Sequence, residues 1–207
     1  MNMFSEPKTT RIVFIGAPGC GKSTLAADVF TAFKKLGKNA ELVMEWIRRD
    51  IMKNGSMTNV FEQYRTLMYN RHEEEDFPRQ VEYIIQDGGT LLGYFYAAVY
   101  STKTDQKERL VIQDMYEALL KDLYSKKYDY IYFLPRAEVQ AIGANTDDGT
   151  RYQSDHQIEV LENYMRLIFT EIHRMDSVKV LDCPLGQRVN TVISDVIGRV
   201  AQIPNPS

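Results

Sequence analysis

Residues 16–24, with the sequence GAPGCGKST, combine the residue types that bind a polyphosphate. They follow the apolar run 12–15 and precede the helix-forming residues 25–27, so a strand leads into a glycine-rich turn and the turn into a helix. The three glycines let consecutive backbone N–H groups point into one concavity, which attracts phosphate together with the positive end of the helix. The spacing G-x-x-x-x-G-K-[ST] in this context is that of a phosphate-binding P-loop. We therefore expect the chain to bind a nucleoside triphosphate.

The side chains of this loop have separate expected tasks. Lys22, a solvated charge at the end of the loop, would reach the β- and γ-phosphates, and the hydroxyl of Ser23 would hold a magnesium ion. The backbone around both residues would surround the phosphates. The residues predicted to bind ATP are Gly16, Pro18, Gly19, Cys20, Gly21, Lys22, Ser23, Thr24 and, further along the chain, Arg136.

Polar residues also follow the second and third predicted strands, where ligands of open parallel sheets bind. Asp87 ends the third strand, where an aspartate that coordinates magnesium is expected. The alternative interpretation is that Asp87 is a solvated residue of the turn. Glu45 ends the second strand and is the best candidate to orient or deprotonate an acceptor hydroxyl, unless it is a surface glutamate beside Trp46. Arg48 and Arg49 follow one turn later, where one could bind acceptor phosphate or ribose and the other remain a solvated helix charge.

A polar segment at 136–154 is predicted to act as a lid, since long loops of this kind are more often functional than filler. Within it, Arg151 could stabilise the charge that develops on the γ-phosphoryl group, because a planar guanidinium matches phosphate. Arg136 could do the same, and a surface loop arginine is the alternative. Tyr94 could stack on an acceptor base, although its helical spacing favours the core. The predicted catalytic set is Lys22, Glu45, Asp87 and Arg151.

Strand-like and helix-like segments alternate along the rest of the chain. Five strands separated by helices predict an α/β fold, with a parallel sheet covered on both faces. One domain is expected over 11–203, after a loosely ordered N-terminus at 1–10. The predicted strands are 11–15, 40–46, 81–85, 128–134 and 178–181, and the predicted helices are 22–36, 47–54, 60–75, 90–100, 108–124, 155–175 and 189–201.

Composition narrows the class of protein. The 207 residues are 44% hydrophobic and 26% charged, as in soluble globular domains. Two cysteines, Cys20 and Cys183, predict no disulfide framework and a reducing cytoplasm. The longest apolar run, 91–100, is too short to cross a bilayer, and the N-terminus has no signal-peptide core, so no membrane partner is expected. A net charge of −3 gives no general attraction to nucleic acid, although a local basic groove remains compatible with it.

Three stretches resemble a family of P-loop kinases that includes the nicotinamide riboside kinase domain of bacterial NAD-regulator proteins and related phage proteins. They are the loop 16–24, the stretch 45–50 (EWIRRD), similar to the family's Glu-aromatic-x-Arg pattern, and 128–135 (YDYIYFLP) with 147–153 (DDGTRYQ) after it. The resemblance spans roughly 11–185. It implies a P-loop NTPase three-layer sandwich, strand order 2-3-1-4-5, an arginine-bearing lid, and ATP and Mg²⁺ as cofactors.

The chain departs from this family at 85–87, which reads IQD where the riboside kinase often has Asp-x-Asp. One of two acids is missing, which argues against nicotinamide riboside as the acceptor. A second resemblance is to phage kinases that phosphorylate 5-hydroxymethyluracil within DNA, which are also small P-loop proteins.

These observations predict an ATP- and Mg²⁺-dependent kinase whose acceptor is a hydroxyl of a nucleoside, a nucleotide or a modified base. An alternative is a kinase acting on 5-hydroxymethyluracil in DNA, with a basic groove formed by Arg48, Arg49, Lys53 and Arg65. A second alternative is a regulatory P-loop NTPase that senses or hydrolyses nucleotide and signals through a partner. The identity of the acceptor and the choice between monomer and homodimer stay open at this stage.

Overall fold

A single parallel sheet forms the centre of the protein. The computed structural model describes residues 9–55, 59–77, 80–101, 105–137, 139, 153–172 and 177–198. Its strands are β1 (Thr10–Ile15), β2 (Ala40–Val43), β3 (Tyr83–Asp87), β4 (Tyr130–Phe133) and β5 (Val178–Val180). They pair in the order β2-β3-β1-β4-β5, and every pairing is parallel. The predicted five-stranded parallel sheet in the order 2-3-1-4-5 is therefore confirmed.

Helices connect these strands. Asp105 caps one of them in a capping box with Glu108, and Ser154 caps another with Gln157, so two backbone N–H groups at each of these helix starts have partners. No helix in the described part of the chain is long and apolar enough to cross a membrane. The helices are α1 (Lys22–Lys35), α2 (Trp46–Asn54), α3 (Val60–Glu75), α4 (Leu91–Tyr100), α5 (Gln106–Tyr124), α6 (Asp155–Glu171) and α7 (Leu185–Ile197).

The central strand β1 is buried on both faces, because side chains alternate between the two sides of a strand. Ile12 and Phe14 pack with residues of α1 and α7 on one face of the sheet. Val13 and Ile15 pack with residues of α3, α4, α5 and α6 on the other. The protein is therefore a sandwich of helices, sheet and helices, as the resemblance implied, and its phosphate loop extends from the buried end of the central strand.

Several predicted boundaries are wrong, and three of them bear on the site. The second strand ends at Val43 rather than at 46, so Glu45 occupies the N-cap position of α2 instead of ending β2. The third strand covers Tyr83–Asp87 instead of 81–85, so Asp87 ends it as the site prediction required, and α7 begins at Leu185, four residues before the predicted start. A short apolar run fits a strand or the buried side of a helix equally well, so periodicity alone does not place these ends.

A buried polar network joins α3 to the segment before β4. Glu74 is fully buried, with the Nζ of Lys127 at 2.7 Å and the hydroxyl of Tyr128 donating to its carboxylate at 3.0 and 3.1 Å. The hydroxyl of Thr90 donates to the carboxylate of Asp122 at 2.5 Å and contacts the Tyr128 hydroxyl at 2.7 Å. Burial raises the pKa of Glu74, and the charge of Lys127 opposes that shift. The network therefore depends on Lys127 to balance a buried carboxylate.

Replacing this cation tests the network. Lys127→Met keeps the aliphatic stem but leaves Glu74 without its cation in the interior, so we expect the free energy of unfolding to fall by about 3 kcal/mol. Urea unfolding measures this change. Lys121→Met, at an exposed position on α5, is the matched control and should shift stability by less than about 0.5 kcal/mol. Equal stability of the two variants would contradict the role of Lys127.

Candidate functional site

The phosphate loop joins β1 to α1 in a conformation that requires glycine. Gly19 and Gly21 have φ values of 76° and 88°, in the left-handed region that a β-carbon disfavours. Left-handed residues next to right-handed ones turn successive N–H groups to the same side, and such a concavity binds anions. At Gly16, with φ of 152°, a β-carbon would lie 2.7 Å from the carbonyl oxygen of Leu134 and 2.8 Å from the Sγ of Cys20.

Lys22 does not extend into solvent as the sequence analysis expected. Its side chain is buried, and its Nζ donates to the carbonyl oxygens of Gly16 at 3.0 Å and Ala17 at 3.2 Å. The expectation of a solvated charge is wrong, because carbonyl groups of the tight turn surround the ammonium. The positive charge is thus held within the loop, where lower polarity strengthens its attraction for phosphate.

Asp87 lies beside this loop. It is the last residue of β3, pairs in register with Phe14 of β1, and is 3% exposed. Burial raises the pKa of the Cys20 thiol, the charge of Lys22 opposes that shift, and the charge of Asp87 adds to it. The charges of Asp87 and Lys22 therefore both act on the Cys20 thiol inside the loop. Cys20 and Cys183 are free thiols, and Cys20 is buried as an inert part of the turn.

Glu45 reaches the same edge of the sheet from a different element. It is the residue before the first turn of α2, and its carboxyl carbon lies 3.7 Å from the position that a β-carbon on Gly88 would take. Gly88 directly follows Asp87, so the structure brings the two predicted acids together. Because β3 lies between β2 and β1, the two carboxylates and the phosphate loop follow one another along this edge.

The residues at this edge fit a magnesium ion. Ser23 offers a hydroxyl from the first turn of α1, and Asp87 offers a carboxylate from the end of β3. Within the described residues no group of three or more His, Cys, Asp or Glu side chains could hold a metal ion. Mg²⁺ needs no such cage, since it usually takes one or two protein oxygens and completes its octahedron with phosphate and water.

Arg136 follows β4 and lies against α6. Its Nη2 donates to Asp155 at 2.7 Å, and its backbone N–H donates to Glu162 at 3.3 Å. Together with His156 and other residues of α6 it lines an open cavity of about 500 Å³. A predicted phosphate-binding arginine is thus placed at the start of the predicted lid. Most of that segment, 140–152, lies outside the described residues.

The remaining predicted residues have different outcomes. Arg48 and Arg49 belong to α2, but their side chains lie outside the described part of the chain, as does Arg151 entirely. Tyr94 is buried in the core, where its hydroxyl bonds that of Tyr164 at 2.6 Å and burial raises its pKa. These surroundings fit the core role that helical spacing favoured for Tyr94 over stacking on an acceptor.

The sequence analysis did not identify Arg188 as a site residue. Arg188 lies in the first turn of α7, is 2% exposed, and donates from Nη1 to the carbonyl oxygen of Cys20 at 3.1 Å and from Nη2 to that of Pro135 at 3.4 Å. One signal was available: Arg188 shares the buried face of α7 with Val192. A cation on the apolar face of a helix indicates a specific buried partner.

Comparisons with known proteins place the chain in a family and a fold. A family model described as an AAA domain matches residues 11–188. A comparison with curated proteins gives no match. Among solved structures, the fold resembles NadR protein in complex with NR, with a TM-score of 0.71 and 17% identity over 96% of this chain and 54% of that one. The chain therefore spans about half the length of that NadR protein.

Two further solved structures are similar. A deoxyadenosine kinase from M. mycoides with bound dATP has a TM-score of 0.63 and 18% identity, over 91% of this chain and 99% of that one. A thymidylate kinase from Candida albicans has a TM-score of 0.54 and 15% identity, over 92% of each chain. At such identities the likeness shows the fold, and it confirms the predicted resemblance to P-loop kinases.

The constraint on Gly16 can be tested by one methyl group. Gly16→Ala forces its β-carbon against Leu134 and Cys20, so we expect ATP affinity to be lost and the free energy of unfolding to fall by about 2 kcal/mol. Calorimetric titration with ATP and urea unfolding measure the two effects. Gly186→Ala is the control, because a β-carbon there meets nothing within 4 Å. A Gly16→Ala variant with native affinity would contradict the close packing of the loop.

Proposed function

The chain belongs to the AAA domain family, and from that premise we propose that it is an ATP- and Mg²⁺-dependent kinase whose acceptor is a hydroxyl of a nucleoside, a nucleotide or a modified base. One observation carries the proposal: a phosphate loop with a buried lysine and two carboxylates, Glu45 and Asp87, meet at one edge of the sheet. Phosphoryl transfer needs an electrostatic clamp for phosphate, a metal site and a group that orients the acceptor, and this edge offers candidates for each.

Each residue has a stated task in this proposal. The loop N–H groups and Lys22 bind the phosphates, and Ser23 and Asp87 would hold the magnesium ion. When bound, that ion neutralises charge on the phosphate oxygens. Glu45, farther from the loop than Asp87, would orient the acceptor hydroxyl or take its proton. Arg151 is proposed as the lid residue that stabilises charge on the transferred group.

Two similar structures support the proposed class of acceptor, and one residue of this chain argues against NR. A deoxyadenosine kinase and a thymidylate kinase share this fold, which favours a nucleoside or nucleotide acceptor. The first acid of the family's Asp-x-Asp corresponds to Ile85 here, which is fully buried in the core against α1. Asp87 therefore has no second carboxylate two residues before it, and this argues against the NR that the NadR protein binds.

A modified base in DNA is a second candidate acceptor. Helix α3 exposes aromatic rings near Arg65, at Phe61, Tyr64 and Tyr69. The bases of single-stranded DNA stack on such surfaces. The proposed basic groove is weakened, however, because Arg65 already donates to Asp50 at 2.8 Å. The DNA acceptor therefore ranks below the free nucleoside or nucleotide.

A panel of acceptors tests the proposed function. Labelled ATP is incubated with nucleosides, with nucleoside monophosphates and with DNA that contains 5-hydroxymethyluracil, and transfer of label is measured. We expect label on a free nucleoside or nucleotide. Transfer to DNA alone, with binding that weakens steeply as salt rises, would favour the second candidate. Hydrolysis of ATP without transfer to any acceptor would contradict the kinase and favour a regulatory NTPase.

Asp87→Asn tests the metal site. The amide is a weaker magnesium ligand than the carboxylate, so the Mg²⁺ concentration for half-maximal rate should rise by about tenfold or more. Asp114→Asn, which changes an exposed acid on α5, controls for the loss of one negative charge. An unchanged magnesium dependence in the Asp87 variant would make Asp87 a turn residue only.

Glu45→Gln tests the acceptor group. The amide cannot accept a proton, so the rate of transfer should fall by about 10²–10⁴-fold while the affinity for ATP stays the same. Single-turnover transfer and ATP titration separate the two quantities. Glu41→Gln, within β2 and four residues before Glu45, serves as the control. Full transfer by the Glu45 variant would move the role of base to Asp87.

A further inference from the structure

We propose that Arg188 is a positioning residue for nucleotide binding: it holds the peptide between Cys20 and Gly21 so that the N–H of Gly21 faces the bound triphosphate. The proposal rests on the nucleotide binding put forward above and adds to it a residue of the C-terminal helix, 168 positions away from the loop. Arg188 does not touch the nucleotide in this proposal. It acts through the backbone of the loop.

The contacts of Arg188 tie three elements together. From α7, Nη1 donates to Cys20 in the phosphate loop, and Nη2 donates to Pro135 at the end of β4. Nη1 also lies 3.9 Å from the position that a β-carbon on Gly21 would occupy. The guanidinium therefore packs directly behind the last turn of the loop and fixes it relative to the sheet.

Because the peptide bond is planar, the hydrogen bond from Arg188 to Cys20 also fixes the direction of the Gly21 N–H. The described peptide bonds are all trans, and in a trans peptide the C=O and the following N–H point in opposite directions. With the carbonyl oxygen of Cys20 directed at Arg188, the N–H of Gly21 points away from Arg188. Gly21, with φ of 88°, precedes the first turn of α1, whose N–H groups define the anion-binding end of the helix. Arg188 thus holds the N–H of Gly21 on the side of the loop where phosphate would bind, next to the N–H groups of the first turn of α1.

Burial of a charged guanidinium costs more free energy than burial of an apolar side chain of the same size. Among the described residues both hydrogen-bond partners of Arg188 are backbone carbonyl oxygens, and its Nε has no partner. Taking a guanidinium out of water carries a large desolvation cost, which two hydrogen bonds to neutral carbonyl oxygens offset only in part. The position of Arg188 against the Cys20 carbonyl group of the phosphate loop is instead consistent with a cation that serves the binding of an anion.

Two ligands and three variants test the proposal. Calorimetric titration of the full chain measures affinity for ATP and for inorganic tripolyphosphate, which carries the phosphates without a base. Arg188→Met removes both donors and keeps most of the volume, so affinity for both ligands should fall by roughly tenfold, the effect of one charge-assisted hydrogen bond. Arg188→Lys keeps the charge without the planar fork, and its affinities should lie between those of wild type and Arg188→Met.

Tyr132→Phe is the matched control. The hydroxyl of Tyr132 donates to Asp195 of α7 at 2.5 Å, so its loss loosens the same helix at a point away from the loop. We expect the melting temperature to fall and both affinities to remain at the wild-type value. Equal loss of affinity in Tyr132→Phe and Arg188→Met would overturn the proposal, because loosening of α7 would then explain both results.

The other outcomes are also decisive. Arg188→Met with wild-type affinities would overturn the role of Arg188. If that variant does not fold, Arg188→Lys decides in its place: weaker binding supports the proposal, and wild-type affinities overturn it. Wild-type protein that binds neither ATP nor tripolyphosphate would instead contradict the proposed function, a result distinct from equal binding by wild type and variant.

Discussion

Backbone N–H groups that point into one concavity repel one another, so a phosphate-binding loop needs its carbonyl groups held elsewhere. In this protein the ammonium of Lys22 binds the carbonyl oxygens of Gly16 and Ala17, and the guanidinium of Arg188 binds that of Cys20. The ammonium thus holds two carbonyl groups at the start of the loop, and the guanidinium holds one near its end. The shape that binds an anion is therefore prepared by interactions within the protein before a ligand arrives.

The sheet gives this loop its surroundings. Because β1 lies at the centre, helices cover both of its faces, and the loop follows residues 12–15, which are fully buried. The neighbouring strand β3 ends in Asp87, and Glu45 comes from the connection after β2, one strand further out. Distance from the phosphate loop thus increases from the proposed metal ligand to the proposed acceptor group, which is the order that transfer away from a bound triphosphate requires.

Fold and chemistry support the proposed kinase on separate grounds. The similar structures include enzymes for nucleosides and nucleotides, yet at 15–18% identity they show a shared architecture rather than a shared substrate. The chemical ground is the set of side chains at one edge of the sheet. The features proposed to select the acceptor are Ile85 of β3, where this chain differs from the family's pattern, and the exposed aromatic residues of α3.

The sequence by itself determined the phosphate loop, the parallel sheet and its order, because these depend on local spacing, on glycine conformations and on a family resemblance. It also placed Asp87 at the end of a strand, since an apolar run that ends in an acid and two glycines is a local pattern. Only the tertiary structure decided that Lys22 is buried, that the carboxyl group of Glu45 lies beside Gly88, and that Arg188 reaches the loop. Each of these depends on which distant segments pack together, and no local pattern records that.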